Sequence, residues 1–158
     1  MNYPTPEEIL RQARPIPTYR DHPATSACDI EGVSPDGSTV TVHVRASGET
    51  FLLLFLSADC LGCRDLWDGT AALRRDLPPS VRTVIVTRGP EHEDAGTIAA
   101  LASEDVATVM SSAAYGDYRV AGAPFLVLVA GPEVLTEGVA WGVAETARAV
   151  RQALDGTS

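Results

Sequence analysis

The sequence predicts an α/β fold in which a central mixed β-sheet is flanked by helices. Three observations carry this expectation. Phe51 to Leu56 is an unbroken apolar run. It is short for a buried helix and lacks the alternation of a strand with one wet face, so it fits a central strand covered on both faces. Directly after it, Cys63, Leu66, Thr70, Leu73 and Leu77 recur at spacings of three and four, the apolar stripe of a helix, and Pro78-Pro79 stops that helix. A second apolar run, Phe125 to Val129, leads through Gly131-Pro132 into a returning segment, Val134 to Trp141, as an antiparallel hairpin would.

The chain has 158 residues, enough for one domain with a core of its own. We divide it into an N-terminal arm, 1–26, and a single domain, 27–158. The arm carries prolines at 4, 6, 15, 17 and 23. A short helix fits Pro6 to Arg14, with Thr5 as its cap and Glu7 and Glu8 in its first turn. Tyr19 and His22 in this arm receive no chemical role.

From Ala27 to Val44 the pattern is a hairpin. Ser34-Pro35-Asp36-Gly37 is a turn in which proline presets φ and glycine takes the left-handed position. Thr39 to Val44 alternates and is rich in β-branched residues, as strands are, and its His43 reads as a solvated strand residue. After the central strand and its helix, Val81 to Val86 is another strand, and Arg88 to Asp94 a polar loop. A helix fits 93–103, a short strand Val106 to Met110, and an irregular or briefly helical piece Ser111 to Tyr118. Pro124 opens the late apolar strand, a place where no ladder donor is lost. Val143, Ala147, Val150 and Leu154 mark a last helix, ended by Asp155-Gly156. Trp67 is expected to be structural and Trp141 to pack under the last helix.

Composition narrows the function. The formal net charge is −9 and no basic patch is visible, which argues against nucleic acid or an anionic membrane surface as a partner. All 12 basic residues are arginine. No apolar run approaches the length of a membrane span, and the N-terminus lacks the layout of a secretion signal; the expected location is cytoplasmic. The acidic cluster Glu91-His92-Glu93-Asp94 reads as a solvated loop rather than a metal site.

Three cysteines are too few for a disulfide scaffold. Cys60 and Cys63, in Cys-Leu-Gly-Cys, stand where the central strand gives way to the helix, the place where open α/β sheets carry their chemistry. Unpaired N–H groups and the helix dipole there favour a thiolate at Cys60. Cys63, one turn on and facing inward, is protected but within disulfide reach. An exposed thiol that attacks and a protected one that resolves make a two-step exchange device. Half of a zinc site is the weaker reading, since no second ligand pair is present. A redox-silent pair on a binding scaffold is another. Cys28 reads as a small apolar residue.

Taken together, Leu56-Ser57-Ala58-Asp59-Cys60-Leu61-Gly62-Cys63 and Tyr115-Gly116-Asp117-Tyr118-Arg119-Val120-Ala121-Gly122-Ala123-Pro124 give the chain a resemblance to the thioredoxin superfamily. It looks closest to the TlpA/MauD-like, redoxin-type branch, over roughly residues 27 to 155. The resemblance implies a thioredoxin-like fold with an N-terminal hairpin and an inserted α/β unit between the cysteine pair and the late proline. It implies that Cys60 attacks and Cys63 resolves. Pro124 would be a cis-proline beside the pair, and the Ala123 backbone would bind an extended substrate strand. Neither a cofactor nor a metal is implied.

The sequence also departs from that pattern. Asp59 stands where tryptophan is usual, and its charge should oppose thiolate formation, with Arg64 as an offset. Leu61-Gly62 supplies neither a cation nor a proline ring. Leu54 replaces the buried acid that helps deprotonate the resolving thiol.

The expected function is a thiol–disulfide oxidoreductase that reduces protein or small-molecule disulfides. Its electron donor is not indicated by the sequence. A redoxin-type peroxide reductase is the first alternative, although Ser57 occupies the position where Thr-x-x-Cys would need threonine. A thioredoxin-fold adaptor that docks a partner is the second.

Overall fold

A computed structural model describes residues 26–156; the 1–25 part of the arm, with its expected helix, Tyr19 and His22, lies outside the described residues. The strands are β1 (Ile30–Val33), β2 (Thr39–Val42), β3 (Thr50–Phe55), β4 (Val81–Thr87), β5 (Ala107–Met110), β6 (Phe125–Ala130) and β7 (Glu133–Val139). The α-helices are α1 (Arg64–Asp68), α2 (Thr70–Asp76), α3 (Ala95–Leu101), α4 (Ser112–Asp117) and α5 (Val143–Gly156). A 3₁₀ turn, Leu61–Cys63, leads into α1.

The strands form one seven-stranded sheet in the order β2-β1-β5-β4-β3-β6-β7. β3 pairs in parallel with β4 and antiparallel with β6, so the sheet is mixed. Its apolar run lacks alternation because both faces are covered. Leu52, Leu54 and Leu56 enter one core, with Leu66, Leu73, Ile98 and Val150 from the helices. Phe51, Leu53 and Phe55 enter the other, with Tyr115, Tyr118 and residues of the hairpin. Burying one such side chain is worth roughly 1.5–3 kcal/mol, so β3 anchors both layers and fixes where its C-terminal end points.

The N-terminal hairpin forms as expected, with β1 and β2 antiparallel. Gly37 takes φ +93° in its turn. Asp36 accepts hydrogen bonds from the Ser34 hydroxyl and the Ser38 N–H, which hold its carboxyl down to about 2. β2 stops at Val42 rather than Val44. The reason is local: Asp29 takes the Val44 and Arg45 N–H groups at 2.8 and 2.9 Å, so they leave the ladder. His43 is exposed beyond the strand, 3.9 Å from Asp29.

The helical stripe after the motif is buried as the spacing predicts: Cys63, Leu66, Thr70, Leu73 and Leu77 are all in the interior. The helix itself is not continuous. It opens as 3₁₀, and Gly69 separates α1 from α2. A Cβ on Gly69 would lie 2.5 Å from Val143 Cγ2 and 2.7 Å from the Asp65 carbonyl. The kink therefore accompanies the close approach of α5. The segment from Ser111 to Tyr118 contains a true helix, α4, with the Ser111 hydroxyl capping it through the Ala114 N–H and Tyr118 closing its C-terminal end.

Trp141 does not pack under the last helix; it is 74% exposed. β7 ends two residues before it, and Gly142, at φ +95°, turns the chain into α5. The inward positions of α5 are filled by Thr146, Ala147 and Val150.

Candidate active site

β3 delivers Ser57 to Cys60 to the C-terminal end of the sheet, between β4 and β6. Trp67, buried on α1, donates its indole N–H to the Ser57 carbonyl at 3.0 Å. This bond ties the strand's exit to the helix that follows. Cys60 then caps the 3₁₀ turn, and its carbonyl accepts from the Cys63 N–H at 3.1 Å. The two sulfurs are joined as a disulfide, with the Cα atoms 5.3 Å apart. Cys63 is wholly buried and Cys60 half-buried. The unequal exposure expected of the pair is present.

The dipole expected to favour a Cys60 thiolate is weaker than a long helix would give. A three-residue 3₁₀ turn and the five-residue α1 precede the kink, and a macrodipole needs aligned peptide units. Asp59 does not cap the turn; it accepts from the Ser57 hydroxyl at 3.2 Å. Arg64 is exposed and makes no ion pair with Asp59 among the described residues.

The Ala123–Pro124 peptide is cis. Pro124 lies against the motif: a Cβ built on Gly62 would be 3.5 Å from the proline ring and 4.0 Å from Cys60 Sγ. These are ordinary van der Waals distances, so a Cβ at this position would rest against the ring without displacing it. The Pro124 carbonyl accepts from Ala140 N–H at 3.3 Å, which couples the proline loop to the β7–α5 connection. Ala123 and Cys60 are both half-buried against the first core. The four residues singled out from the sequence, Cys60, Cys63, Ala123 and Pro124, therefore lie at one end of the sheet.

Two further residues reach this end from the loop after β4. Glu93 was expected in a solvated acidic loop; instead it is half-buried and accepts from the Ala58 N–H at 3.3 Å. Burial raises its carboxyl above the usual range, and the Asp59 charge adds to the rise, while the Ala58 hydrogen bond and the charges of Arg88 and His92 oppose it. The other acids of that loop have separate tasks. Asp94 caps α3 through Thr97 N–H, and Glu91 bonds Ser112. Arg88 lies 4.2 Å above the Tyr115 ring and donates to the Ala121 carbonyl at 3.3 Å. Tyr115 in turn donates to the Leu56 carbonyl at 3.1 Å. Arg88 thereby links the β4 loop, the floor of the site and the approach to Pro124. The sequence signal for both residues was position: they follow the strand paired in parallel with β3.

Leu54, where the resemblance would place an acid, is wholly buried. Cys28 lies elsewhere, at the start of β1, beside Tyr118.

No family model matches the chain, and no curated protein matches it. Solved structures do. A thiol:disulfide interchange protein of the thioredoxin family from Chlorobium tepidum aligns with a TM-score of 0.65 and 18% identity, over 83% of this chain and 97% of that one. The thioredoxin domain of a thiol-disulfide oxidoreductase from Bacteroides vulgatus gives 0.63 and 18%, over 80% and 94%. A secreted disulfide oxidoreductase from Mycobacterium tuberculosis, described as homologous to DsbE, gives 0.62 and 15%, over 78% and 95%. With its mixed sheet, flanking helices and N-terminal hairpin, the chain has the thioredoxin-like fold.

Proposed function

We propose that this chain is a thiol–disulfide oxidoreductase that reduces protein or small-molecule disulfides through Cys60 and Cys63. One observation carries the reading: a Cys-x-x-Cys pair joined as a disulfide, one cysteine buried and the other half-buried, packed beside a cis-proline.

In the reduced protein, Cys60 loses its proton and attacks one sulfur of a substrate disulfide. A mixed disulfide forms and the other substrate sulfur leaves as a thiolate. Cys63 then loses its proton and attacks Cys60 Sγ. The second substrate thiolate leaves, the Cys60–Cys63 disulfide closes, and two electrons have passed to the substrate, whose thiolates take up protons. An external dithiol must return those electrons. Cys63 is buried, and Leu54, buried in the same core, offers no proton acceptor for this second step. Ala123 and Pro124 would form the surface that an extended substrate segment meets, and Glu93, by holding Ala58, positions the turn that carries Cys60.

The favoured setting is a reducing cytoplasm. One structural relative is described as secreted, so the pair's potential is the discriminating quantity.

Dithiothreitol-driven reduction of insulin tests the activity directly. The intact protein should accelerate the reaction, and a Cys63→Ser variant should accumulate a mixed disulfide on Cys60, visible by mass spectrometry. No acceleration and no adduct would overturn the reading. Peroxide consumption in place of disulfide reduction would move the assignment to the redoxin type. Partner binding that survives Cys60→Ser without any turnover would move it to an adaptor.

A further inference from the structure

Arg88 ties together two parts of the site that are distant in sequence. It stands half-buried just past β4. Its guanidinium lies 4.2 Å from the centre of the Tyr115 ring and donates to the Ala121 carbonyl at 3.3 Å. Tyr115 is itself fixed. It is buried on α4, its ring meets Phe55 edge-on with the centroids 5.0 Å apart, and its hydroxyl donates to the Leu56 carbonyl at the exit of β3. Its own carbonyl accepts from the Val120 N–H at 2.8 Å. The β3 exit that leads to Cys60 and the loop that leads to Pro124 are thus referenced to one tyrosine, and Arg88 completes the link.

The proline loop needs such a hold. It leaves α4 with Arg119 at φ +56°, a left-handed conformation that a non-glycine residue keeps only where its surroundings impose it. Past Val120 the loop has little packing of its own. Ala121 and Gly122 are exposed, and a Cβ on Gly122 would meet nothing within 4 Å. Ala123 makes no backbone hydrogen bond among the described residues. The bond from Arg88 to Ala121 is charge-assisted, hence stronger than a neutral one. The same β4–α3 loop carries Glu93, which takes the Ala58 N–H on the cysteine side. One loop therefore grips both the turn that carries Cys60 and the loop that carries Ala123.

We propose that Arg88 is a positioning residue for substrate: by holding Ala121 it keeps the Ala123 backbone set for an extended protein segment, and so favours protein disulfides over disulfides too small to reach from Cys60 to Ala123. The inference rests on the oxidoreductase reading and adds the residue that sets its substrate class. Arg88 touches neither sulfur nor substrate in this role; it acts through the loop it holds.

The test compares two disulfides, with dithiothreitol as donor and the uncatalysed rate subtracted. One is a linear peptide with a central cysteine, linked to a second copy of itself; the other is hydroxyethyl disulfide. The exchange is the one already given, and dithiothreitol returns the two electrons that the pair passes on. Arg88→Met keeps an unbranched side chain beside the Tyr115 ring but removes the charge and the donor. It should lower the peptide-to-hydroxyethyl ratio of kcat/KM about tenfold, the scale of one hydrogen bond to a charged group, chiefly through the peptide's KM. Arg88→Lys, which keeps a cation and a donor, should restore most of the ratio. A ratio that Arg88→Met leaves unchanged overturns the inference, and so does an equal loss on both substrates, which is what a merely structural role would give. A thermal melt accompanies each variant. If Arg88→Met is unfolded at the assay temperature, Arg88→Gln takes its place, and unfolding of both would assign Arg88 to stability and overturn the inference. Failure of the intact chain to exchange with dithiothreitol overturns the oxidoreductase reading beneath it.

Discussion

The two places where this chain keeps thiols show how one residue type acquires different chemistry. Cys60 and Cys63 stand past the C-terminal end of β3, where the strand ladder stops and the turn sets a half-buried cysteine next to a fully buried one. Cys28 stands at the entrance to β1. Its backbone is clamped on both sides by Tyr118, whose hydroxyl accepts from the Cys28 N–H at 2.8 Å and donates to the Cys28 carbonyl. Its thiol donates to the Ser26 carbonyl at 3.7 Å. Burial raises that thiol above the usual range, Asp117 and Asp29 raise it further, and Arg45 opposes them. Nucleophilic sulfur needs a thiolate, and this neighbourhood disfavours one. The difference lies in the partners: Cys60 and Cys63 have each other at a strand end, whereas Cys28 is held through its backbone by Tyr118.

Breaking the contrast at its reactive side should have the largest effect. Cys60→Ser should reduce insulin turnover to the uncatalysed rate, and Cys28→Ser should leave it unchanged. Substantial loss in the Cys28 variant would mean that the two regions communicate through sulfur chemistry.

The structural side predicts a smaller loss, in stability rather than rate. Tyr118→Phe leaves the Cys28 N–H and carbonyl without their partner. The cost should be about 1–3 kcal/mol, read as a lower denaturant midpoint with an unchanged slope. Insulin turnover below the transition should be unaffected.

Glu93 sharpens the comparison through pH. Its folded-state carboxyl is raised, first by burial, so ionisation penalises the native state. That penalty is absent below the unfolded pKa of about 4.3 and fully present above the folded value. Glu93→Gln, which keeps an acceptor for Ala58, should raise the melting temperature at pH 7 and bring it level with the parent as the pH falls below the ordinary carboxylate range. A constant difference at all pH values would contradict the assignment.

The smallest effect should come from Asp94→Ala. The Asp94 carboxyl is held low, mainly by its hydrogen bonds from Thr97. Its cap stabilises the fold above the unfolded pKa and loses that effect as the pH falls through the folded one. The variant should therefore melt slightly lower at pH 7 and match the parent in acid.

Much of this architecture is legible in the sequence. β3 is readable because burial on both faces removes alternation, and the stripe from Cys63 to Leu77 because its period is helical. The Cys60–Cys63 pairing is readable because Cys-x-x-Cys spacing at a strand-to-helix turn brings two sulfurs within disulfide reach, and the cis bond at Pro124 is implied by the resemblance. What is not legible depends on contacts distant in the chain. The stripe runs unbroken through Gly69, and only the approach of Val143 shows why the helix kinks there. Glu93 sits in a polar loop, and its bond to Ala58 spans 35 residues. Trp141 looks like a core residue until the end of β7 and the turn at Gly142 place it in solvent.

The central claim is that Cys60 and Cys63 cycle as a redox pair tuned for reduction. Its most direct test is a redox titration of the pair in dithiothreitol buffers, read by thiol alkylation. A single two-electron midpoint near or below about −240 mV is the predicted result, within the range of reductases. A midpoint above about −180 mV would contradict the reductive direction, and a pair that forms no reversible disulfide would contradict the oxidoreductase itself.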